Sequence, residues 1–213
     1  MAQVHCFTFN MFYENTYIVY DETNTCIIID PGCHNQNEKN RLVGWIRQQG
    51  LTPVRLINTH CHLDHVFGNK FVAETYKLGL EIHEGEQVVL QRYGISAQRF
   101  GILDYENSPA PASFLKEGTK LTFGNTELDI LLTPGHSPAS ICFYSSKDNF
   151  IIAGDVLFER SIGRTDLPGG NHNQLIESIR TQLLPLPDQT IVYAGHGNPT
   201  TIGKERVSNP FLI

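Results

Sequence analysis

The chain has 213 residues, of which 40% are hydrophobic and 18% charged, and this composition is typical of a globular protein with one well-buried core. Its formal net charge of -6 argues against nucleic acid or an anionic membrane as a partner, and no apolar run approaches the ~20 residues that span a bilayer. The first ten residues do not resemble a signal peptide. Five cysteines, none in a CxxC pair, predict reduced thiols and a cytoplasmic location.

The first third of the chain predicts three antiparallel strands and a helix. β-Branched and aromatic runs separated by turn residues favour strands at 4–9, 16–20 and 25–29. Asn35 offers an N-cap and Glu38 completes a capping box, while helical spacing of apolar residues continues to Gly50, a typical residue to end a helix.

The next predicted strand, 54–58, leads into the most informative stretch of the sequence, Thr59-His60-Cys61-His62-Leu63-Asp64-His65. Three histidines and one carboxylate lie within six residues. Imidazole nitrogen and carboxylate oxygen suit zinc and similar cations, so this loop predicts a metal site. Cys61 alternates with the ligands and is interpreted as a buried thiol.

The remaining elements are predicted from periodicity and turn residues. The region 82–111 contains no chemistry motif and is the expected place for substrate-contacting variation. Strands near both ends with helices between them predict two packed sheets covered by helices. The predictions are helices at 67–78, 86–93 and 175–183, strands at 120–123, 126–132, 141–144, 150–153 and 190–193, loops at 108–113 and 158–170, and a short C-terminal tail.

Ligand-type residues also follow three later strands. His136, Asp155 and His196 each stand in a turn just after an apolar run, with glycine beside them. If the strands lie side by side, these turns converge on the His60–His65 loop at one sheet edge. Seven ligands exceed the needs of one tetrahedral ion and suit two ions that share a carboxylate, about 3.5–4 Å apart. The simpler interpretations are scattered polar residues or a closed structural zinc site, and the latter is usually rich in cysteine.

The pattern His60-x-His62-x-Asp64-His65 with His136, Asp155 and His196 resembles the metallo-β-lactamase superfamily, as does Asp30-Pro31-Gly32. The resemblance implies an α/β (α+β) fold, a four-layer αββα sandwich formed by a single domain over residues 1–213. It further implies the following roles: His60, His62 and His136 as ligands of one ion, Asp64, His65 and His196 as ligands of the other, Asp155 as the bridge, Asp30 as a carboxylate that orients a histidine ligand, and Asp64 and Asp155 as the catalytic residues.

Sequence differences from other groups narrow the choice of group within the superfamily. Classical zinc β-lactamases have Cys where Asp155 stands, flavodiiron proteins usually have Glu at His62, and RNA-processing members carry insertions that this chain lacks. The stretches GDVLFERSIGRTDLPGG and GHGNPTTIGKERVSNPFL resemble the short bacterial glyoxalase II enzymes. This implies a hydrolase with two divalent ions, zinc with iron or manganese as alternatives, that acts on a small-molecule thioester such as lactoylglutathione.

Two alternatives stay open. Persulfide dioxygenases share the Gly-Arg-Thr-Asp segment, and their single iron would be held here by His60, His136 and Asp155. The other alternative, from a different class, is a metal-binding protein without catalytic activity. The sequence does not predict the oligomeric state.

Arg164 and Asp166 are the predicted substrate-binding residues. Larger glyoxalase II enzymes have a Lys and a Tyr in this loop and a C-terminal helical region that binds glutathione. Here Arg164 stands at the Lys, Asp166 at the Tyr, and the helical region is absent. Arg164 is expected to hold a substrate carboxylate by paired hydrogen bonds, or else to pair with Asp166 and shape the loop.

Overall fold

The computed structural model describes residues 1–213 and contains two six-stranded sheets. In the first sheet the strands lie side by side in chain order. The pairs among the first three strands are antiparallel, because short turns connect them, whereas the later pairs are parallel and need longer crossovers. The strands are β1 (Gln3–Phe9), β2 (Glu14–Tyr20), β3 (Thr25–Ile29), β4 (Thr52–Ile57), β5 (Leu80–His83) and β6 (Pro111–Leu115).

The second sheet has the order β14-β13-β10-β9-β8-β7, and only β10 and β13 pair in parallel. Two short strands form a separate hairpin after β10. The strands are β7 (Lys120–Phe123), β8 (Thr126–Leu132), β9 (Ile141–Ser145), β10 (Phe150–Gly154), β11 (Leu157–Phe158), β12 (Ser161–Ile162), β13 (Ile191–Ala194) and β14 (Thr200–Thr201).

Seven α-helices complete the fold, and none combines the length and apolar character that a membrane crossing requires. They are α1 (Gln36–Gln48), α2 (Leu63–Val66), α3 (Asn69–Tyr76), α4 (Gln87–Gln91), α5 (Tyr93–Arg99), α6 (His172–Ser178) and α7 (Ile202–Ser208). A 3₁₀ turn, Glu84–Glu86, precedes α4, and a π-helical turn, Ile179–Leu183, extends α6.

The side chains of β3 show how the layers pack. Because successive residues of a strand point to opposite faces, Cys26 and Ile28 pack on the helix side, with Leu42 of α1, while Ile27 and Ile29 pack against the second sheet. A third apolar cluster fills the outer face of the second sheet beneath α6 and α7. The three clusters separate four layers, so the predicted αββα sandwich is confirmed.

The predicted start and end of α1 are confirmed. The Asn35 side chain accepts a hydrogen bond from the Glu38 amide at 3.0 Å, and the Glu38 carboxylate accepts the Asn35 amide at 3.3 Å. Gly50 follows the helix with φ +66°, a left-handed conformation that costs glycine little.

Several element predictions were wrong. The predicted loop 108–113 ends early, because Pro111 begins β6, an edge strand whose first residue needs no amide donor. The single helix predicted at 86–93 is two short helices, and β5 was missed. The 158–170 loop contains most of the β11–β12 hairpin, and the tail contains β14 and α7. Two-residue strands are too short to show a hydrophobic period.

Candidate metal centre

The structure brings the side chains of all seven predicted ligands to one edge of the sandwich. Each lies just beyond the end of a strand: β4 precedes the His60–His65 loop, β8 precedes His136, β10 precedes Asp155 and β13 precedes His196. In both sheets the relevant strands finish at the same edge, so turns that are far apart in sequence meet there. The convergence predicted from the sequence therefore occurs.

His60, His62 and His136, the first ligand group, offer ligand atoms that all lie within 4.8 Å of one another. His62 Nδ1 and His136 Nε2 lie 2.8 Å apart. His60 is fully buried.

Asp64, His65 and His196, the second ligand group, meet the same 4.8 Å condition. His196 Nε2 lies 3.1 Å from Asp64 Oδ2, and His65 Nε2 lies 3.8 Å from the same oxygen. His65 is fully buried, whereas the Asp64 and His196 side chains are partly exposed. One side of this group therefore faces solvent.

Asp155 lies between the two groups. Its Oδ2 is 3.4 Å from His136 Nε2 and 3.5 Å from His196 Nε2, while its Oδ1 is 3.4 Å from His65 Nε2. One carboxylate thus contacts both ligand groups, which is the arrangement that two ions sharing a ligand require.

The chemistry of the centre fits divalent metal ions. His60 Nε2, His65 Nε2 and Asp155 Oδ1 are buried and have no hydrogen-bond partner in the protein. Burying such atoms without a partner is costly, and side chains placed in this way usually have a ligand to satisfy. Imidazole nitrogens and carboxylate oxygens are suitable ligands for zinc, iron and manganese. The sequence and the structure thus agree on histidine and aspartate groups able to hold metal.

Backbone carbonyls orient two of the imidazoles. His136 Nδ1 lies 2.7 Å from the Arg164 carbonyl oxygen, and His196 Nδ1 lies 3.1 Å from the Phe12 carbonyl oxygen. A ring N–H that donates outward to a carbonyl leaves the other nitrogen, Nε2, free and directed into the centre. Both rings are therefore oriented with Nε2 directed at the other ligands.

Asp30, which the resemblance assigns to orienting a histidine ligand, contacts His65. Its Oδ2 accepts the His65 Nδ1 hydrogen at 3.1 Å and the Thr59 hydroxyl at 2.6 Å, and its Oδ1 accepts the Thr59 amide at 2.7 Å. Thr59 Oγ1 in turn lies 3.0 Å from His60 Nδ1. One buried carboxylate thus supports an imidazole from each ligand group.

We expect Asp30→Asn to weaken zinc binding by roughly 10- to 100-fold, the usual effect of removing a partner that orients a ligand. Asp30 has φ +50°, and Asn accepts this left-handed backbone, so the substitution removes charge without adding backbone strain. A chelator-competition titration measures the affinity, and the melting temperature of the ion-free variant reports its fold. Zinc affinity equal to that of the wild type would show that His65 does not need this carboxylate.

Burial favours the neutral form of two histidines of the first ligand group, His60 and His62. It lowers the pKa of His62 to about 3 and that of His60 well below its usual value, and neighbouring imidazoles add to both shifts. Neutral imidazole is the form that binds metal, so these side chains are ready to bind at neutral pH.

The pKa shifts of His65 and Asp155 favour the charged forms instead. Burial disfavours the charged form of His65, but Asp155, Asp64 and Asp30 outweigh it and raise the pKa of His65 well above its usual value. Burial also disfavours charged Asp155, yet His65, His136 and His196 hold the pKa of Asp155 well below its usual range. Without an ion, a proton on His65 therefore compensates the buried carboxylates.

Two buried glutamates near the centre were missed in the sequence. Glu14, interpreted there as part of a turn, begins β2, and its Oε1 lies 3.9 Å from His65 Nδ1 without a hydrogen-bond partner. Burial raises the pKa of Glu14 well above its usual value. Glu86 lies in the region 82–111, where no chemistry motif was expected, and its carboxylate contacts both ligand loops.

Arg164 and Asp166 pair with each other at the rim of the centre. The guanidinium donates two hydrogen bonds to the carboxylate, both of 2.7 Å, and both side chains are exposed. The Arg164 carbonyl, rather than its side chain, contacts a predicted ligand, His136. Substrate binding by these two side chains stays a prediction.

The chain is similar to known proteins over most of its length. The Metallo-beta-lactamase superfamily model matches residues 10–196. Hydroxyacylglutathione hydrolase GloC of Haemophilus influenzae is 39% identical over 204 residues, which cover 94% of this chain and 93% of that one.

Two solved structures share the fold. The BLEG-1 B3 metallo-beta-lactamase has a TM-score of 0.90 and 35% identity, covering 99% of each chain. TTHA1623 in a di-iron-bound form has a TM-score of 0.88 and 34% identity, covering 98% of this chain and 100% of that one. The sequence match, the sandwich and the histidine and aspartate groups agree, and the chain belongs to the metallo-beta-lactamase superfamily.

Proposed function

We propose that this protein is a metal-dependent hydrolase with two divalent ions, a thioesterase of the glyoxalase II type that acts on a hydroxyacyl-thiol such as lactoylglutathione. The observation that carries the proposal is the position of Asp155, within 3.5 Å of histidines from both ligand groups. Membership in the superfamily supports metal-dependent hydrolysis, and the similarity to GloC supports a thioester.

The proposal assigns the first ligand group to one ion and the second ligand group to the other, with Asp155 contributing to both. Bound there, the ions would supply Lewis-acid activation of water and of the substrate carbonyl. Zinc is the proposed metal, and iron or manganese would suit the same ligands.

Asp64 is the carboxylate best placed to orient the attacking water. Its Oδ2 contacts His196 at 3.1 Å, while its Oδ1 makes no hydrogen bond within the protein and its side chain is 16% exposed. Burial disfavours the charged form, but His65 and His196 outweigh it and lower the pKa of Asp64. The side chain is therefore a carboxylate at neutral pH, able to accept a proton from water at Oδ1.

The thiol leaving group does not need a strong proton donor from the protein. A thiol has a pKa of about 8.5, so a thiolate departs without a strong general acid. This agrees with the centre, where the imidazoles of His65, His136 and His196 each contact a carboxylate or carbonyl that orients them.

A mononuclear iron dioxygenase would need only His60, His136 and Asp155. The presence of the second ligand group does not decide between the two chemistries. We prefer the hydrolase because of the similarity to GloC, and the dioxygenase and the non-catalytic metal-binding protein become outcomes of the test.

The test is a comparison of three reactions with a zinc-loaded and an iron-loaded preparation, and the metal content of each is measured. We expect release of free thiol from S-lactoylglutathione under anaerobic conditions, little cleavage of a chromogenic β-lactam, and no oxygen consumption with glutathione persulfide. The β-lactam arm is needed because of the similarity to BLEG-1. Oxygen consumption by an iron-loaded preparation without thioester cleavage would replace the proposal with the dioxygenase. Inertness toward all three substrates, with metal bound, would favour the non-catalytic protein.

Other properties stay predictions from the sequence. They are a single domain over residues 1–213, a cytoplasmic location, and the lack of nucleic-acid and membrane partners.

A further inference from the structure

Glu86 is a fully buried carboxylate next to the candidate metal centre. It ends the 3₁₀ turn after β5 and accepts hydrogen bonds from three groups. The Cys61 amide donates at 2.9 Å, the Ser137 hydroxyl lies 2.7 and 2.8 Å from its two oxygens, and the Ala139 amide donates at 2.8 Å. Both oxygens are therefore occupied by donors from other segments.

These donors belong to two loops on different sheets. Cys61 lies between His60 and His62, in the loop after β4 of the first sheet, whereas Ser137 adjoins His136, in the connection from β8 to β9 of the second sheet. The carboxylate thus joins the two loops that form the first ligand group. Each loop contributes one of the His62 and His136 nitrogens, which lie 2.8 Å apart.

The turn that carries Glu86 is fitted to the second of these loops. A Cβ at Gly85 would lie 2.6 Å from the Ala139 Cβ, so any larger residue there would push the turn away. The two loops also share one direct backbone bond, from the Ile141 amide to the Thr59 carbonyl at 2.9 Å. That bond lies on the strand side of the ligands, whereas Glu86 bonds to residues that adjoin them.

We propose that Glu86 is a positioning residue that sets the separation of the two loops and thereby the affinity of the first ligand group for its ion. The inference rests on the proposed metal binding but not on the identity of the substrate. Glu86 contacts no substrate or reacting atom in this role and acts through His60, His62 and His136.

Glu86→Gln tests the role with little change in volume. An amide has one acceptor oxygen and one NH₂ donor, so one of the Cys61 and Ala139 amides would face another donor. That loop would move away, and the spacing of the ligand nitrogens would change. We expect the affinity of the first ligand group for zinc to fall by roughly 10- to 100-fold, as for other residues that support metal ligands.

Asp21→Asn is the matched control. Asp21 is also buried and also joins the two sheets, because it accepts the Asn125 amide at 2.7 Å and the Thr126 hydroxyl at 2.8 Å. Asp21 directly follows β2, whereas Glu14 begins that strand. The two residues are seven positions apart, which is about 23 Å along an extended strand. A general effect of losing a buried carboxylate would appear in both variants, whereas an effect on metal positioning would appear only in Glu86→Gln.

The experiment is a zinc titration of the ion-free proteins against a chromogenic chelator, with Glu86→Gln placed in three backgrounds. We expect the loss of affinity in the wild type and in His196→Ala, which keeps the first ligand group. His62→Ala breaks that group. In this background Glu86→Gln should change the affinity for the remaining ion by less than about twofold, as expected for independent sites. Asp21→Asn should bind zinc like the wild type.

Unchanged zinc affinity in Glu86→Gln, or an equal loss in the His62→Ala background or in Asp21→Asn, would overturn the inference. Failure of the wild type to bind zinc would instead overturn the proposed function on which the inference rests. If Glu86→Gln does not fold, Ser137→Ala removes one donor while both backbone donors remain, and it should produce a smaller loss of the same kind. Wild-type zinc affinity in a folded Ser137→Ala protein would then count against the role.

Discussion

Asp155→Asn is expected to reduce thioester hydrolysis by more than about 100-fold while the protein stays folded. The amide keeps the volume of the side chain but loses its charge and one acceptor oxygen, so it can no longer serve histidines of both ligand groups, which lie 3.4 and 3.5 Å from the carboxylate. Loss of a residue that only supports a ligand costs about 10- to 100-fold. Loss of the shared ligand should exceed that range. The measurement is kcat/KM for S-lactoylglutathione.

The control for this variant is again Asp21→Asn, a buried carboxylate remote from the metal centre. It should lower the melting temperature but leave kcat/KM close to that of the wild type. If Asp155→Asn retained most of the activity, the shared position of this carboxylate would have no part in catalysis.

Removal of the ions with a chelator is expected to abolish activity and to lower the free energy of unfolding. The centre holds buried histidines and carboxylates whose inward atoms lack partners, so the native state should bind ions much more tightly than the unfolded chain. At a free-ion concentration of 100 times Kd, each ion adds about 2.7 kcal/mol to the stability. Thermal unfolding with zinc and with chelator measures the difference. Equal melting temperatures and unchanged activity would exclude a metal centre.

The stabilisation by metal should also depend on pH, because of His65. In the ion-free protein the pKa of His65 is raised above its unfolded value, so its proton stabilises the fold below about pH 6.5, and this contribution is lost as the pH rises through the raised pKa. An ion needs the neutral imidazole and displaces that proton. The difference in melting temperature between loaded and ion-free protein should therefore increase with pH.

The ligands could be predicted because their signal is local. The His60–His65 loop packs four ligand-type residues into six positions, and His136, Asp155 and His196 each follow an apolar run. Strands of the two packed sheets finish at the same edge and bring such turns together, whatever their distance in sequence. The sandwich was expected from strands near both ends with helices between them and from the family resemblance. β3 fits it, since its apolar residues pack against helices on one face and the second sheet on the other.

The supporting carboxylates could not be predicted. Glu86 binds two backbone amides and one hydroxyl, and a sequence does not specify which amides will lie nearby. The burial of Glu14 was not predicted because it adjoins a polar turn, where a carboxylate is usually exposed. Arg164 and Asp166 were identified as a possible pair, but only the structure shows both hydrogen bonds between them.

The number of zinc ions held by each chain is the most direct test of the account. Ion-free protein is saturated with zinc, dialysed against metal-free buffer and submitted to elemental analysis, with Asp155→Asn treated in parallel. The account predicts two ions per wild-type chain and fewer in the variant. One ion or none in the wild type, or two ions held equally well after the substitution, would contradict it.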